Sequence, residues 1–324
     1  MISPRVLIRK LLGRRGTFLL RNVASTISYT LGIYEYADST GRRDGISAMV
    51  CSYNEEDWIE PSLLSIKDLV DEYVIVDSST DRTPEIIEEL RRNYDLNMKV
   101  LRTSPGSLSD ARLTAVVKAS YKWILHWDPD FIAYEFMPST IKTLIEGLDR
   151  RRHYLVYWKY LLLCGNLRHL CSSTPYHIEH WLFTYSRRLT YKDLNIGGGK
   201  ITDLLIAPLG LYKPIYLDKV LGIHLGGIRN PERIAIKHIW YIYRNEFTEL
   251  AREGYDFKEL AMMYAEKLYG TKDLRVVGKK LIEDAVRSLP KYSEDVYGPL
   301  PRVLKDYVDK RIREDPEFIE VVGS

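Results

Sequence analysis

Asp128 and Asp130 flank Pro129 directly after the apolar run from Trp123 to Trp127. Two carboxylates one residue apart at a strand end can share a hard divalent cation, because Mg²⁺ and Mn²⁺ accept oxygen ligands and bridge readily to phosphates. The ordinary alternative is a polar turn whose carboxylates cap backbone amides. Three further segments shift the balance towards chemistry. They are Ser52-Tyr53-Asn54-Glu55-Glu56, then Val74-Ile75-Val76-Asp77-Ser78-Ser79-Thr80-Asp81-Arg82-Thr83, then Gly106 with Ala111-Arg112. Each lies where an apolar run ends, and in an open α/β sheet the carboxyl ends of strands build the ligand crevice.

A rival constellation is Cys164, His169, Cys171, His177 and His180, which is dense enough to raise zinc. Tetrahedral Cys/His sites show paired ligands at short, regular spacing, and the interval from Cys164 to Cys171 is poor by that standard. Buried cysteines and histidines beside a cleft are the preferred reading, with the stacking side chains of Tyr176, Trp181 and Tyr185 nearby. Only three cysteines occur, Cys51 being the other; that is too few for a disulfide framework, and the odd count suits a reducing compartment.

Apolar runs of strand length and amphipathic stretches at helical spacing alternate from Gly45 onward. Ile46 to Cys51 reads as a buried strand, Trp58 to Leu69 as helical, and Tyr73 to Val76 as the next strand. Thr83 is a plausible N-cap with Pro84 at the first helical position. Lys99 to Leu101 reads as a strand, Ser109 to Tyr121 as a helix and Trp123 to Trp127 as a strand. This alternation predicts a mostly parallel, doubly wound sheet. Past Asp130 the order loosens: Ile141 to Leu148 reads as a helix, Tyr154 to Leu163 as a long strand, and Phe183 to Arg187 and Ile215 to Leu217 as short ones. From Pro231 the spacing is helical. The predicted division is a basic amphipathic segment over 1–44, an α/β domain over 45–228 and a helical region over 229–324.

The 324 residues can bury a full-sized core, and 45% hydrophobic with 28% charged residues fits a folded soluble protein. A formal net charge of +3 makes no case for nucleic acid, although 24 tyrosines could support stacking or sugar contacts. No run of about 18 apolar residues occurs, so no membrane span is expected, and the first residues lack a signal peptide's apolar centre and cleavage site. A cytoplasmic setting follows as the expectation. Arg5, Arg9, Lys10, Arg14, Arg15 and Arg21 alternate with apolar residues, a pattern that suits either an anionic membrane surface or a solvated helix packed on the domain.

The order of the four motifs resembles the family 2 type of GT-A glycosyltransferases over roughly residues 45 to 225. The resemblance implies a Rossmann-like GT-A domain, a nucleotide-sugar donor, Mn²⁺ or Mg²⁺, and a glycan or polyprenyl-lipid acceptor; membrane-surface contact through the N-terminal segment is the expectation from its own basic, amphipathic pattern. It places Asp130 on the metal and Asp128 near the ribose or metal. Tyr53 would lie against the base, Asp77 would bind base or ribose, and Arg112 would face the nucleotide; a carboxylate accepts from ring N–H or hydroxyl groups, and a guanidinium can fork onto phosphate oxygens. Glu55 joins these nucleotide-sugar contacts, its plainer role being to charge a helix's first turn. In the family an acidic pair after a flexible glycine segment holds the catalytic base, and a histidine after the next strand can join the metal. Here Asp203 follows Gly197-Gly198-Gly199-Lys200, and His224 precedes Leu225-Gly226-Gly227. A base is required because the acceptor hydroxyl must lose its proton as it attacks the anomeric carbon opposite the departing phosphate. The plainer reading of Asp203 is a cap on a helix beginning at Leu204.

Thr202 stands where the acidic pair usually begins with Glu, which keeps Glu179 and Asp193 open as the base. The segment from Asp77 to Thr83 also lacks the glycine of the usual Asp-x-Gly-Ser-Thr-Asp form. Two other classes stay open: a nucleotidyltransferase of similar fold, and a catalytically silent module that binds nucleotide sugar or glycan. The first would be expected to carry a glycine-rich, basic phosphate loop after the first strand, where this chain has an acidic one.

Overall fold

The computed structural model describes residues 4–104, 106–195, 201–243, 246–247, 250 and 253–323. A helical segment, α1 (Pro4–Thr30), broken at Gly13 where φ is 62°, leads into alternating elements: β1 (Arg43–Ser52), α2 (Ile59–Ser65), β2 (Glu72–Asp77), α3 (Thr83–Asn93), β3 (Met98–Arg102), α4 (Leu108–Lys118) and β4 (Tyr121–His126). The short β5 (Phe131–Ala133) and α5 (Met137–Glu146) follow. Next come β6 (Tyr154–Cys164), β7 (Tyr176–Thr184), β8 (Thr190–Asn195), β9 (Ile201–Ile206) and β10 (Lys213–Gly227).

Eight strands form one sheet in the order β3-β2-β1-β4-β7-β6-β10-β5, and β8 and β9 pair separately as an antiparallel hairpin. Strands β3, β2, β1 and β4 run parallel to one another, β7 is antiparallel between β4 and β6, and β10 is parallel to β6. Every residue of β2 is buried. That suits the continuous apolar runs expected of strands covered on both faces. Apolar side chains on one face gather Val50, Leu63, Ile75, Trp123 and Ile141, and on the other Met49, Val74, Val116, Ile124 and Phe183.

The strands and helices predicted up to α5 appear with shifted ends, but Thr83 is not a cap. It is the first residue of α3, with Arg82 in the cap position, and its hydroxyl accepts the Glu55 N–H at 2.7 Å. The capping carboxylate is Asp81, whose Oδ1 accepts the Thr83 N–H at 3.0 Å. In the second half the differences are larger. The strand expected at Phe183 begins at Tyr176, the one expected over Ile215 to Leu217 runs from Lys213 to Gly227, and the helix considered after Asp203 is strand β9.

Helix α6 (Pro231–Ile242) opens four residues after β10 ends, with the Asn230 side chain accepting the Arg233 N–H at 2.9 Å as its N-cap. Helices α7 (Phe257–Tyr269) and α8 (Leu274–Val286), both capped by aspartate, pack with α6 through Ala235, Ile239, Leu260, Leu274 and Val277. After the short α9 (Glu294–Tyr297), α10 (Arg302–Glu314) and α11 (Ile319–Val322) return to the sheet. Leu304, Tyr307, Phe318 and Val321 share one apolar cluster with Trp58, Ile132, Leu161 and Leu225. Trp58 is wholly buried there, and a side chain of that size is worth roughly 3–5 kcal/mol against truncation to alanine.

The expectation of unpaired cysteines is corrected: Cys164 and Cys171 form a disulfide, leaving Cys51 free. The seven-residue interval that suited zinc poorly is a chain reversal after β6, in which the Cys171 N–H donates to Leu162 O at 3.2 Å and the Cα atoms come within 4.9 Å. Two bonded sulfurs are not thiolate ligands, so the zinc constellation falls away. No described helix is long and apolar enough to cross a membrane.

Candidate active site

The sheet brings the carboxyl ends of β1, β2 and β4 side by side, with Ser52 in register with Asp77 and Met49 with His126. Asp77 is fully buried at that edge. Its Oδ1 accepts the Ser52 hydroxyl at 2.7 Å and the Ser79 hydroxyl at 2.6 Å, while Oδ2 is paired with Arg102 from the end of β3. The turn after β1 is held against the turn after β2: Asn54 adopts φ 55°, in the left-handed region that asparagine tolerates, and its Oδ1 accepts the Thr80 N–H at 2.7 Å. Tyr53 is half-buried beside this turn. The Arg233 guanidinium stands 4.8 Å above its ring and donates to its carbonyl at 2.7 Å, and Phe257 meets the ring edge-on.

Arg112 projects from α4 and is 4% exposed. It joins two of the predicted site carboxylates, donating from Nη2 to Asp128 Oδ1 at 3.0 Å and from Nε to Asp203 Oδ2. His126 Nε2 lies 3.5 Å from the same Asp128 oxygen. Burial works against an ionised Asp128, but Arg112 and then His126 outweigh it and hold this carboxyl well below the usual range. Asp128, Arg112 and Asp203 therefore form a row of anion, cation and anion at the end of the sheet, although Asp203 lies 75 positions further along the chain and on the hairpin rather than the sheet.

A second row lies alongside. Arg229, 3% exposed, donates from Nη2 to Asp130 Oδ2 at 2.7 Å and from Nη1 to Glu55 Oε2. His224 Nε2 stands 3.4 Å from the same Asp130 oxygen. Burial again disfavours the Asp130 charge, and His224 followed by Arg229 reverses it, so this carboxyl too is held well below its usual range. Glu55 shifts the other way: burial raises it more than Arg229 lowers it. Lys237, whose ammonium donates to Gly226 O at 2.9 Å, is pushed down to about 8, chiefly by burial and then by Arg229.

Asp130 and His224 suit a divalent cation, since a carboxylate and an imidazole are both Mn²⁺ ligands and the carboxylate alone serves Mg²⁺. A Cβ built on Gly226 would lie 2.5 Å from His224 Nε2 and 3.1 Å from Asp130 Oδ2, so the glycine keeps the space beside both atoms clear. Arg229 would have to share the Asp130 oxygen. Among the described residues no group of three or more His, Cys, Asp or Glu side chains is placed to hold a metal ion, so Asp128, Asp130 and His224 are not a preformed three-ligand cage. Asp128 turns its Oδ1 to Arg112 instead.

The other two base candidates are placed differently. Asp193 on β8 accepts the hydroxyls of Ser107 and Ser109 at 2.7 and 2.8 Å, which ties the hairpin to the start of α4. Glu179 belongs to β7 opposite Trp158, and its side chain lies outside the described residues, as do Gly197, Gly198, Gly199 and Lys200.

Five basic residues at the site were not anticipated: Arg102, His126, Arg229, Arg233 and Lys237. For the last three the signal was present, because positions four apart share one face of a helix and Arg229, Arg233 and Lys237 run at that spacing from the N-cap region into α6. A cation row at a helix start beside a glycine pair is readable as an anion-facing surface.

Residues 47–199 match the family model described as glycosyl transferase family 2. Poly-beta-1,6-N-acetyl-D-glucosamine synthase of Staphylococcus epidermidis is 31% identical over 101 residues, which cover 29% of this chain and 24% of the synthase. The chain thus spans about a quarter of the length of the curated relatives it matches. Among solved structures, S. aureus TarS 1–349 aligns at 16% identity and a TM-score of 0.40, covering 86% of this chain and 81% of that one. Mannosyltransferase PcManGT from Pyrobaculum calidifontis, solved with GDP-Man and Mn²⁺, aligns at 15% identity and a TM-score of 0.39, covering 91% and 90%.

Proposed function

We propose, from the premise that residues 47–199 are a family 2 glycosyl transferase segment, that this chain moves a hexosyl group from a nucleoside diphosphate sugar to a hydroxyl or lipid-phosphate acceptor with inversion. The observation that carries this reading is the pair of charge rows, Asp128–Arg112–Asp203 and Glu55–Arg229–Asp130, built on the turns that follow β1 and β4.

In this reading Tyr53 and Asp77 hold the base and ribose, with Glu55 and Asp128 shaping the nucleotide-sugar pocket and Arg112 turned to the donor's phosphate or ribose oxygens. Asp77 is fully buried and already held by Ser52, Ser79 and Arg102, so in this reading the base or ribose takes the place of one of those partners. Asp130, Asp128 and His224 would hold Mn²⁺ or Mg²⁺, which when bound neutralises the charge left on the departing diphosphate. Arg229, Arg233 and Lys237 add positive charge on the same side. Asp203 is the base that takes the acceptor's proton, and the Arg112 Nε–H bonded to it fixes its position. Placement in the cytoplasm belongs to the same proposal; it would require the Cys164–Cys171 bond to withstand a reducing environment.

The test is a thermal-shift panel of UDP-, GDP-, CDP- and dTDP-linked sugars with Mn²⁺, Mg²⁺ or a chelator, because a ligand that binds only the native state raises its stability, by about 2.7 kcal/mol at a hundred times its Kd. One nucleotide class should raise the melting temperature, and the chelator should abolish the rise. No rise with any of them would overturn the donor assignment. A metal-dependent rise with no consumption of donor would favour the silent binding module.

A further inference from the structure

Helix α1 is amphipathic the wrong way round for a helix that rests on a domain. Its packed side is small and polar. Ser25 and Ser28 are 3% and 7% exposed, and Gly210 sits so close that a Cβ there would meet Ser28 Oγ at 2.4 Å. Arg21 donates to the Tyr157 hydroxyl at 2.9 Å, and the Tyr29 hydroxyl donates to Asp149 at 2.6 Å. Its outer side is apolar: Leu19, Val23 and Ile27 follow one another at four-residue spacing and are 66%, 49% and 51% exposed, with Leu31 and Ile33 continuing the strip at 68% and 51%. Leu209, next to Gly210, adds another exposed apolar side chain at 60%. Scattered exposed leucines are ordinary, but a continuous strip on a helix whose polar side is buried marks an interaction surface.

The charge of the same segment selects its occupant. Residues 1–34 contain six Lys and Arg and no Asp or Glu, the first acid being Glu35. Over the whole chain Lys and Arg total 47 and Asp and Glu 44, so apart from those six the molecule carries a formal charge of −3. A second copy docking here through a two-fold axis would set one cationic segment against another. An anionic bilayer meets both properties at once, since exposed leucine and valine side chains can enter the acyl boundary while cations stay among the headgroups.

We propose that the part of α1 after Gly13, with Leu31 just beyond its end, docks the protein on an anionic lipid surface through Leu19, Val23, Ile27 and Leu31. This stands apart from the transfer reaction and needs no assumption about it. It is tested on the full chain by co-sedimentation with vesicles of phosphatidylcholine alone or with about a quarter phosphatidylglycerol, at low and high salt. The expected result is binding to the anionic vesicles that weakens with salt and falls by roughly tenfold or more in Leu19→Glu/Val23→Glu/Ile27→Glu. Because those side chains are exposed, the variant should keep the wild-type melting temperature; should it not, Val23→Ser/Ile27→Ser supplies the same readout with a milder change. Absence of binding to anionic vesicles, or binding that the substitutions leave unchanged, would overturn the proposal. So would a vesicle-free dimer, seen by light scattering, that the same substitutions dissociate.

Discussion

Replacing Asp130 by alanine should remove metal-dependent donor binding, lowering affinity for the nucleotide sugar by roughly a hundredfold or more. Asp130 is the one site carboxylate that faces both an imidazole and the space kept open by Gly226. The fold should survive, because Arg229 would keep Glu55 as a partner and only part of the usual cost of about 3–5 kcal/mol for breaking a buried ion pair would be felt. Asp130→Asn separates the two roles: its side-chain oxygen can still accept from Arg229, but it is a poor metal ligand. Titration calorimetry of the donor with and without Mn²⁺ gives the readout. Affinity unchanged in Asp130→Ala would reject the metal assignment and leave Arg229, Arg233 and Lys237 as the charges that meet the diphosphate.

The second large effect is expected at Asp203. Asp203→Asn should bind donor as the wild type does yet lose transfer by about 10²- to 10⁴-fold, the range for removing a positioned general base. Binding is preserved because Arg112 retains Asp128 and the amide oxygen can still accept its Nε–H. Donor turnover with water standing in for the acceptor can be followed by release of the nucleoside diphosphate. If Asp203→Asn turns over normally, the base moves to Glu179 or Asp193. Of these, Asp193 would first have to leave the two serine hydroxyls that hold it.

The first half of the fold was legible because its signals are local. Buried parallel strands leave unbroken apolar runs such as Val74 to Val76, and their ends carry the motifs, so the segments bearing Tyr53, Asp77, Asp128 and Asp130 were expected together at the carboxyl ends of β1, β2 and β4. The second half depends on pairings between distant segments, which no local period records. β7 inserts between β4 and β6, and β10 extends well past its three clearest apolar residues. Thr83 misled for a related reason: a threonine before Pro84 is a good cap in isolation, but its hydroxyl serves the Glu55 amide across the crevice. Arg229 was missed although its four-residue spacing to Arg233 and Lys237 was readable, because that spacing marks a cationic face without naming its partners, and Glu55 and Asp130 meet it only through the fold. The cysteines were misread from their count, when what decides pairing is the reversal that brings Cys171 back to the end of β6.

The central claim, inverting transfer from a nucleotide sugar, is most directly tested by proton NMR of the wild-type protein with the donor and metal chosen by the thermal-shift panel. The account predicts release of nucleoside diphosphate together with a sugar product whose anomeric configuration is opposite to the donor's. Product of retained configuration, or donor that stays bound and intact with every acceptor including water, would contradict it.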